Sequence, residues 1–168
     1  MSHCGVVPFE QDRGYALIMK PYINDLLELI NNGEMDNTYK MSWIKSIVEV
    51  CEKDCKEEIH FDELSPIIFK YYWNQTIFFN LYQSANKKKK PKIIQYTEEE
   101  IESYKKKYST SQPITYIRLR DSIRKTVIKK ISTVLKENVS WRFLILNKKK
   151  YDIYSLDKKN KTIKVKHP

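Results

Sequence analysis

Glycine and histidine are scarce in this chain of 168 residues, and their scarcity excludes several kinds of site. With only three glycines, the chain has neither a P-loop nor a dinucleotide-binding fingerprint, because both need clustered glycines to bring backbone amides against phosphate. The histidines are His3, His60 and His167. Histidines scattered in this way support no Ser-His-Asp or Cys-His arrangement.

Long apolar runs and paired cysteines are also missing. No apolar run is long enough to span a bilayer, and the N-terminal stretch MSHCGVVPFEQDRG lacks the apolar core of a signal peptide. The three cysteines, Cys4, Cys51 and Cys55, are an odd number and indicate no disulfide framework. We therefore predict a cytoplasmic protein with reduced thiols and no membrane partner.

Positive charge is concentrated in the second half of the chain. Residues 1–85 hold 7 basic and 13 acidic side chains, whereas residues 86–168 hold 24 and 8, a net charge of +16. A one-sided positive field attracts polyanions such as nucleic acid. A lysine-rich surface that only keeps the protein soluble is the alternative explanation. The 41% hydrophobic and 12% aromatic content is typical of a globular protein rather than a disordered tail.

The spacing of apolar residues predicts a mainly α protein, with a helical domain of about five helices followed by a small C-terminal antiparallel β-meander. Helix boundaries follow from capping residues and from proline and glycine. Asp62 is the predicted N-cap of the third helix, and Thr97 with Glu100 has the spacing of a capping box. The predicted helices run from Pro21 to Asn32, from Asn37 to about Lys53, from Asp62 into the segment Trp73–Tyr82, from Thr97 to Tyr108, and from Pro113 to Asn138.

From Val139 onward the apolar pattern alternates with the period of two that is typical of strands. The three predicted strands are VSWRFLIL, YDIYSL and KTIKVK, with NKKK and DKKN as the turns between them. Such a sheet needs one face packed on another element. These patterns divide the chain into a helical N-terminal part (1–85), a basic linker (86–96), a second helical part (97–138) and the β-meander (139–168).

Aromatic residues are concentrated between Tyr71 and Tyr82. We expect core packing to be their main role, with Trp43, Trp73 and Phe79 in the helical core, because large aromatic side chains dominate protein cores. Met41 belongs to the apolar stripe predicted for the second helix. The alternative is that the segment Tyr71–Tyr82 docks a protein partner, which would make the chain a protein-interaction module.

The stretch from Asn37 to Gln95 carries a family resemblance. In order, it contains a T-Y-K-x-x-W helix, an I-x-F-x-E-L segment, a Y-Y-W helix end and a K-P-x-I-x-Q tail, and further on VSWRFLIL is followed by YDIYSL. This order resembles the N-terminal, non-catalytic region of bacterial HNH-endonuclease-like proteins, over roughly Tyr22 to Val165. The resemblance implies duplex DNA as the partner and a role in restriction or defence.

None of the resembling residues is catalytic. The HNH family builds its active site on a ββα unit, in which His, Asn and Asp side chains activate water and hold a divalent metal. This sequence contains no such motif, so the resemblance carries over no catalytic residue, no metal ligand and no cofactor. A divalent metal would enter only with a C-terminal HNH domain. That nuclease domain, or a second copy of this chain, is the protein partner that we expect.

Basic residues near the middle of the chain are the candidate nucleic-acid contacts. The linker lysines are suited to follow phosphates without reading bases, and the arginines near Tyr116 add donors for two-point binding to phosphate or base edges. A solvated helix face explains the arginines equally well. The candidate residues are Lys87, Lys88, Lys89, Lys90, Lys92, Arg118, Arg120 and Arg124. RNA is a weaker alternative to duplex DNA.

Two further patterns have the spacing of a metal site. Asp152 followed by DKKN resembles the acidic pair and lysine of metal-dependent restriction nucleases, although DKKN between two strands is foremost a polar turn. Cys51, Cys55 and His60 offer three metal ligands. Because no fourth soft ligand lies nearby, we expect these three residues to have structural roles.

Overall fold

The computed structural model describes residues 28–32, 39–54, 56–78, 90–110, 121–147 and 153–166. Helix α1 is described over residues 28–32, and a π turn, Leu135–Val139, joins the last two helices. The other helices are α2 (Tyr39–Asp54), α3 (Phe61–Phe78), α4 (Lys92–Tyr108), α5 (Asp121–Val134) and α6 (Ser140–Asn147). The strands are β1 (Glu58–His60), β2 (Tyr154–Asp157) and β3 (Thr162–Val165).

The predicted fold class is confirmed, since the chain is mainly α-helical with a small antiparallel sheet. Helix α3 lies at the centre, where it contacts α2, α4, α5 and β1. Its buried residues include Phe69, Tyr72 and Trp73, so the aromatic segment contributes to the core as predicted. Phe79 lies outside the described residues. Within the described part of the chain, no helix combines the length and hydrophobicity that crossing a membrane requires.

Helix α2 buries a face that is rotated from the predicted one. Trp43, Ile44, Ile47 and Val50 are buried, at positions that share one side of a helix. Met41, which was expected in this stripe, is 49% exposed. The reason is that the indole of Trp43 offers more apolar area to the core than the side chain of Met41, and the two residues cannot face the same side. The prediction is confirmed for Trp43 and wrong for Met41.

Helix α3 is capped by His60, and the prediction that Asp62 caps it is wrong. The Nδ1 atom of His60 accepts a hydrogen bond from the Asp62 backbone N–H at 3.1 Å, while Glu63 Oε1 accepts one from the His60 backbone N–H at 3.1 Å. This is the reciprocal geometry of a capping box, with histidine in the place of serine or threonine. The Asp62 carboxylate instead accepts a hydrogen bond from the Ser132 hydroxyl of α5 at 2.7 Å.

The Glu63 carboxylate should make part of the stability depend on acid. Burial raises its pKa, but the bonds from Lys56 and from the His60 backbone outweigh burial and lower it overall. A lowered pKa gives stability that is complete above the unfolded-state pKa of about 4.3 and is lost as the pH falls through the folded-state value.

We expect Glu63→Ala to lower the free energy of unfolding by about 1 kcal/mol at neutral pH, the typical value of a helix cap. Glu63→Gln keeps an acceptor for the His60 N–H and should cost less. Urea denaturation at a series of pH values measures both effects. If the Gln variant lost stability in acid as steeply as the unsubstituted chain, Glu63 would not be the group responsible.

Helix α4 begins at Lys92, well before the predicted start at Thr97. Thr97 is fully buried in the helix, and its hydroxyl donates to the Ile93 carbonyl at 2.8 Å, so the predicted capping box is wrong. Pro91 is the residue before the helix, where its missing N–H costs no helical hydrogen bond. The basic linker predicted over 86–96 therefore gives way to helix from Lys92.

Helix α5 buries Val127, Ile131 and Val134, which share one side of the helix. Asn138, which was expected to end this helix, instead lies within the π turn, and the chain continues directly into α6. The segment VSWRFLIL is therefore helical, and the prediction of a strand there is wrong. Ser140, Phe143 and Asn147 are buried with helical spacing. An apolar run of this length fits both periodicities, so the pattern alone did not distinguish them.

The sheet has the strand order β1-β3-β2, with both pairings antiparallel. The predicted strands YDIYSL and KTIKVK are confirmed as β2 and β3. The third strand is β1, a stretch of only three residues that precedes α3 and pairs Ile59 with Ile163. Ile59, Ile163, Val165 and Tyr154 are buried on one face, which meets the requirement that a small sheet packs against another element.

Aromatic side chains join α2, α6 and the sheet in the core. The Tyr154 hydroxyl accepts a hydrogen bond from Trp43 Nε1 at 3.2 Å and donates one to the Ser140 carbonyl at 2.6 Å. The ring of Phe143 stacks on Tyr154 with centroids 6.0 Å apart. Burial raises the pKa of Tyr154, and the bond from Trp43 offsets this only in part, so the phenol stays protonated.

Candidate nucleic-acid interface

The structure places only part of the predicted contact set. Lys87, Lys88, Lys89, Arg118 and Arg120 lie outside the described residues. The remaining members take three different positions: Lys90 precedes α4, Lys92 is its first residue, and Arg124 belongs to the first turn of α5.

Lys90 is not free to follow a phosphate backbone. Its ammonium lies 2.9 and 2.8 Å from the two carboxylate oxygens of Glu98. Because both groups are substantially exposed, the pair adds little stability. The pair nevertheless neutralises the Lys90 ammonium, which was predicted to contact DNA.

The motifs that carry the HNH-like resemblance serve mainly in packing. Tyr39 of the T-Y-K-x-x-W segment is buried, and its hydroxyl accepts the Ile93 backbone N–H of the K-P-x-I-x-Q segment at 3.2 Å. Trp43 lies against Phe61 of the I-x-F-x-E-L segment, with ring centroids 6.1 Å apart. These contacts therefore place the aromatic residues of the motifs in the core around α3.

Positive charge is concentrated in the C-terminal part of the structure. The described residues 121–147 and 153–166 hold 11 basic and 3 acidic side chains, residues 90–110 hold 5 and 4, and residues 39–78 hold 5 and 7. The first of these sets therefore carries a net charge of +8. It comprises α5, the π turn, α6 and the β2–β3 hairpin.

Helix α5 and the π turn carry one row of lysines. Lys125, Lys129 and Lys136 fall within about 40° of one another around a helix with 3.6 residues per turn, on the side opposite the buried Val127 and Ile131. Lys125 and Lys129 are exposed, and Lys136 is partly exposed. None of the three forms an ion pair with another residue in the described ranges. We call these three residues the lysine row.

Lys130 lies next to the lysine row but, unlike those lysines, contacts another helix through its side chain. Its ammonium lies 3.6 Å from the Glu99 carboxylate and 5.1 Å from the centroid of the Tyr96 ring, both on α4. It therefore ties α5 to α4. The other described lysines of α5, Lys125 and Lys129, are exposed and form no ion pair within the described ranges.

The β2–β3 hairpin brings a second group of cations next to α6. Lys158 lies in the turn, with its ammonium 5.1 Å from the centroid of the Trp141 ring. The indole N–H of Trp141 donates to the Glu137 carbonyl of the π turn at 2.6 Å. These two contacts connect the hairpin through Trp141 to the segment that contains Lys136. The hairpin lysines Lys158, Lys159 and Lys161 are all exposed.

Asp157 shapes this hairpin. Its Oδ1 accepts the backbone N–H groups of Lys159 and Asn160 at 2.9 and 3.0 Å, and its Oδ2 accepts the Asn160 side-chain amide at 2.8 Å. The Asn160 backbone N–H is the main cause of a pKa below the usual value for Asp157. Both oxygens thus bind the turn itself, as expected for DKKN as a polar turn. Asp152, its suggested partner in a nuclease site, lies outside the described residues.

The second suggested metal pattern includes His60, which caps α3 through Nδ1. Cys51 is only partly buried, and its thiol donates to the Lys56 carbonyl at 3.6 Å. Cys55 lies outside the described residues. Within the described ranges, no three His, Cys, Asp or Glu side chains converge as ligands for a metal ion.

The sequence prediction did not include the lysine row or the hairpin lysines among the candidate contacts. The spacing of four between Lys125 and Lys129 and the charge run in DKKNK were the available signals. What the sequence did not reveal is that the hairpin turn lies against α6, because that contact depends on VSWRFLIL being a helix.

Comparison with family models, with curated proteins and with solved structures found no match to this chain. The HNH-like resemblance therefore stays a prediction.

Proposed function

We propose that this chain is a DNA-binding module that contacts the phosphate backbone of duplex DNA in the cytoplasm and leaves cleavage to another domain. The observation that carries the proposal is the net charge of +8 on the described residues 121–147 and 153–166, set against −2 on residues 39–78. A surface of this kind attracts polyanions, and each lysine that neutralises a phosphate releases condensed counterions.

The length of the lysine row is compatible with contacts across the major groove of duplex DNA. Lys125 and Lys136 are separated by about 16 Å along the helix axis at 1.5 Å per residue. The major groove of B-DNA is about 12 Å wide. A row of this length reaches phosphates on both sides of the groove, and the hairpin lysines extend the contact along the backbone. The additional proposed contacts are the other predicted residues, Lys87, Lys88, Lys89, Lys92, Arg118, Arg120 and Arg124, whereas Lys90 contributes only if DNA displaces Glu98 from its ammonium.

The HNH-like order of segments extends this proposal to the non-catalytic part of a restriction or defence nuclease, with the nuclease domain as its protein partner. In the rival proposal, docking through Tyr71–Tyr82, Tyr72 and Trp73 are 0% and 1% exposed and are not available to a partner, whereas Phe78 is 58% exposed. Residues 79–82 lie outside the described ranges.

A salt titration of binding to a labelled duplex tests the proposal. We expect the logarithm of the affinity to fall linearly with the logarithm of the salt concentration, by about 0.9 for each contacted phosphate. Two duplexes of unrelated sequence should bind within about 2-fold of each other, since phosphate contacts carry no sequence information. No binding at low salt, or binding that ignores salt, would contradict the proposal. Tighter binding to duplex RNA would favour the RNA alternative.

A further inference from the structure

We infer that Trp141 is a stacking site for an unpaired base, so that the preferred ligand of the basic face, formed by the lysine row and the hairpin lysines, is DNA that exposes a single-stranded stretch. This inference rests on the proposed DNA-binding function and specifies the form of the DNA. Proteins bind single strands through aromatic side chains set among cations that follow the backbone. Trp141 and the hairpin lysines are such a combination.

Trp141 differs from the other two tryptophans in its surroundings. Trp43 and Trp73 are 0% and 1% exposed, whereas Trp141 is partly exposed on α6. Its indole N–H is held by the Glu137 carbonyl at 2.6 Å, which fixes the orientation of the ring. The ring is thus fixed at the surface beside the hairpin, with its π face directed at the Lys158 ammonium.

Lys158 covers the Trp141 ring in a way that a base can displace. An exposed cation–π contact is worth about 2- to 5-fold in an equilibrium constant. Stacking of one base on an aromatic side chain is worth about 5- to 150-fold. A base therefore replaces the ammonium, and the released Lys158 is then placed to meet a phosphate of the same strand, alongside Lys159 and Lys161.

The apolar surface continues beyond the ring. Ile145 lies one helical turn after Trp141, on the same side of α6, and is 66% exposed. Leu146 beside it is 41% exposed. Apolar side chains in this position offer a surface to a second nucleotide next to the stacked base, while the hairpin cations follow the phosphates.

Binding of three labelled probes tests the inference: a fully paired duplex, the same duplex with a short thymine gap, and oligothymidylate. We expect Trp141→Leu to weaken binding to the gapped duplex and to oligothymidylate by at least about 5-fold. Binding to the paired duplex should change by less than about 2-fold, because phosphate contacts dominate there. Trp141→Phe keeps a stacking ring and should restore most of the loss. Circular dichroism melting establishes that each variant is folded.

Phe78→Leu is the matched control, since Phe78 is an aromatic residue 58% exposed on α3, a helix that contributes no residue to the basic face. It should leave all three affinities unchanged. Tryptophan emission gives a second readout: because Trp43 and Trp73 are buried, quenching by oligothymidylate reports on Trp141.

The outcomes separate the inference from the function on which it rests. Salt-dependent binding with no effect of Trp141→Leu on gapped DNA, or an equal effect on all probes, overturns the stacking site and leaves DNA binding intact. Absence of binding to every probe at low salt overturns both.

Discussion

Replacement of Trp43 by alanine should lower the free energy of unfolding by about 3–5 kcal/mol, the range typical for truncation of a buried aromatic side chain. The indole is fully buried and meets the rings of Phe61 and Tyr154 edge-on, at centroid distances of 6.1 and 5.9 Å. Single domains are stable by only about 5–15 kcal/mol. The substitution therefore removes a large share of the total stability.

Urea denaturation followed by circular dichroism measures this loss. Met41→Ala is the control on the same helix, and because Met41 is 49% exposed its effect should stay within about 0.5 kcal/mol. Tyr154→Phe tests the hydroxyl separately from the ring, since it removes both the bond from the Trp43 N–H and the bond to the Ser140 carbonyl and leaves the buried indole N–H without its partner, at a cost of about 1–3 kcal/mol. A loss for Trp43→Ala no larger than that for Met41→Ala would show that the indole does not hold the core together.

The Trp43–Tyr154 contact also shows that the N-terminal helical part and the C-terminal sheet, predicted as separate segments, share one core. The two residues are 111 positions apart in the sequence. Strand β1 pairs with β3, and the Asp62 carboxylate of α3 accepts the Ser132 hydroxyl of α5. The basic face therefore depends for its shape on α2 and α3, although those helices carry little positive charge.

Elements with a long, regular apolar pattern were predictable from the sequence. Helices α2, α3 and α5 and strands β2 and β3 follow from their periodicities, because each buries one face along its length. Strand β1 was not predictable, since three residues are too few to show a period and its pairing with β3 is set by tertiary contacts. Segment 140–147 was assigned the wrong period because its buried and exposed residues fit either a strand or a helix.

The candidate site was less predictable than the fold. Total charge and its location in the second half of the chain follow from composition, but which cations are open to solvent depends on their neighbours. Lys90 and Lys130 are engaged by Glu98 and Glu99, whereas Lys125 and Lys129 are exposed and form no ion pair within the described ranges. Trp141 lies beside Lys158 because the hairpin packs on α6, and this tertiary contact could not be predicted from the sequence.

Replacing all three residues of the lysine row should produce the largest loss of DNA affinity. We expect Lys125→Gln, Lys129→Gln and Lys136→Gln, combined in one chain, to weaken binding to a paired duplex by about 10- to 100-fold at low salt. Each lost phosphate contact should also make the salt dependence shallower by about 0.9 in the log–log slope. The change in slope is the more informative measurement, because the slope is proportional to the number of phosphates that the protein contacts.

The matched control is a chain with Lys45→Gln, Lys53→Gln and Lys70→Gln, which removes the same three charges from exposed positions on α2 and α3. Its net charge equals that of the lysine-row variant, so a general loss of positive field would weaken both alike. We expect the control to keep the slope of the unsubstituted chain and to lose little affinity. If the two triple variants bound equally well, phosphate contact would not be localised on α5 and the π turn.

Because all six side chains are at least partly exposed, both variants should melt close to the unsubstituted chain. A difference in DNA affinity between the two variants then reports on the interface alone.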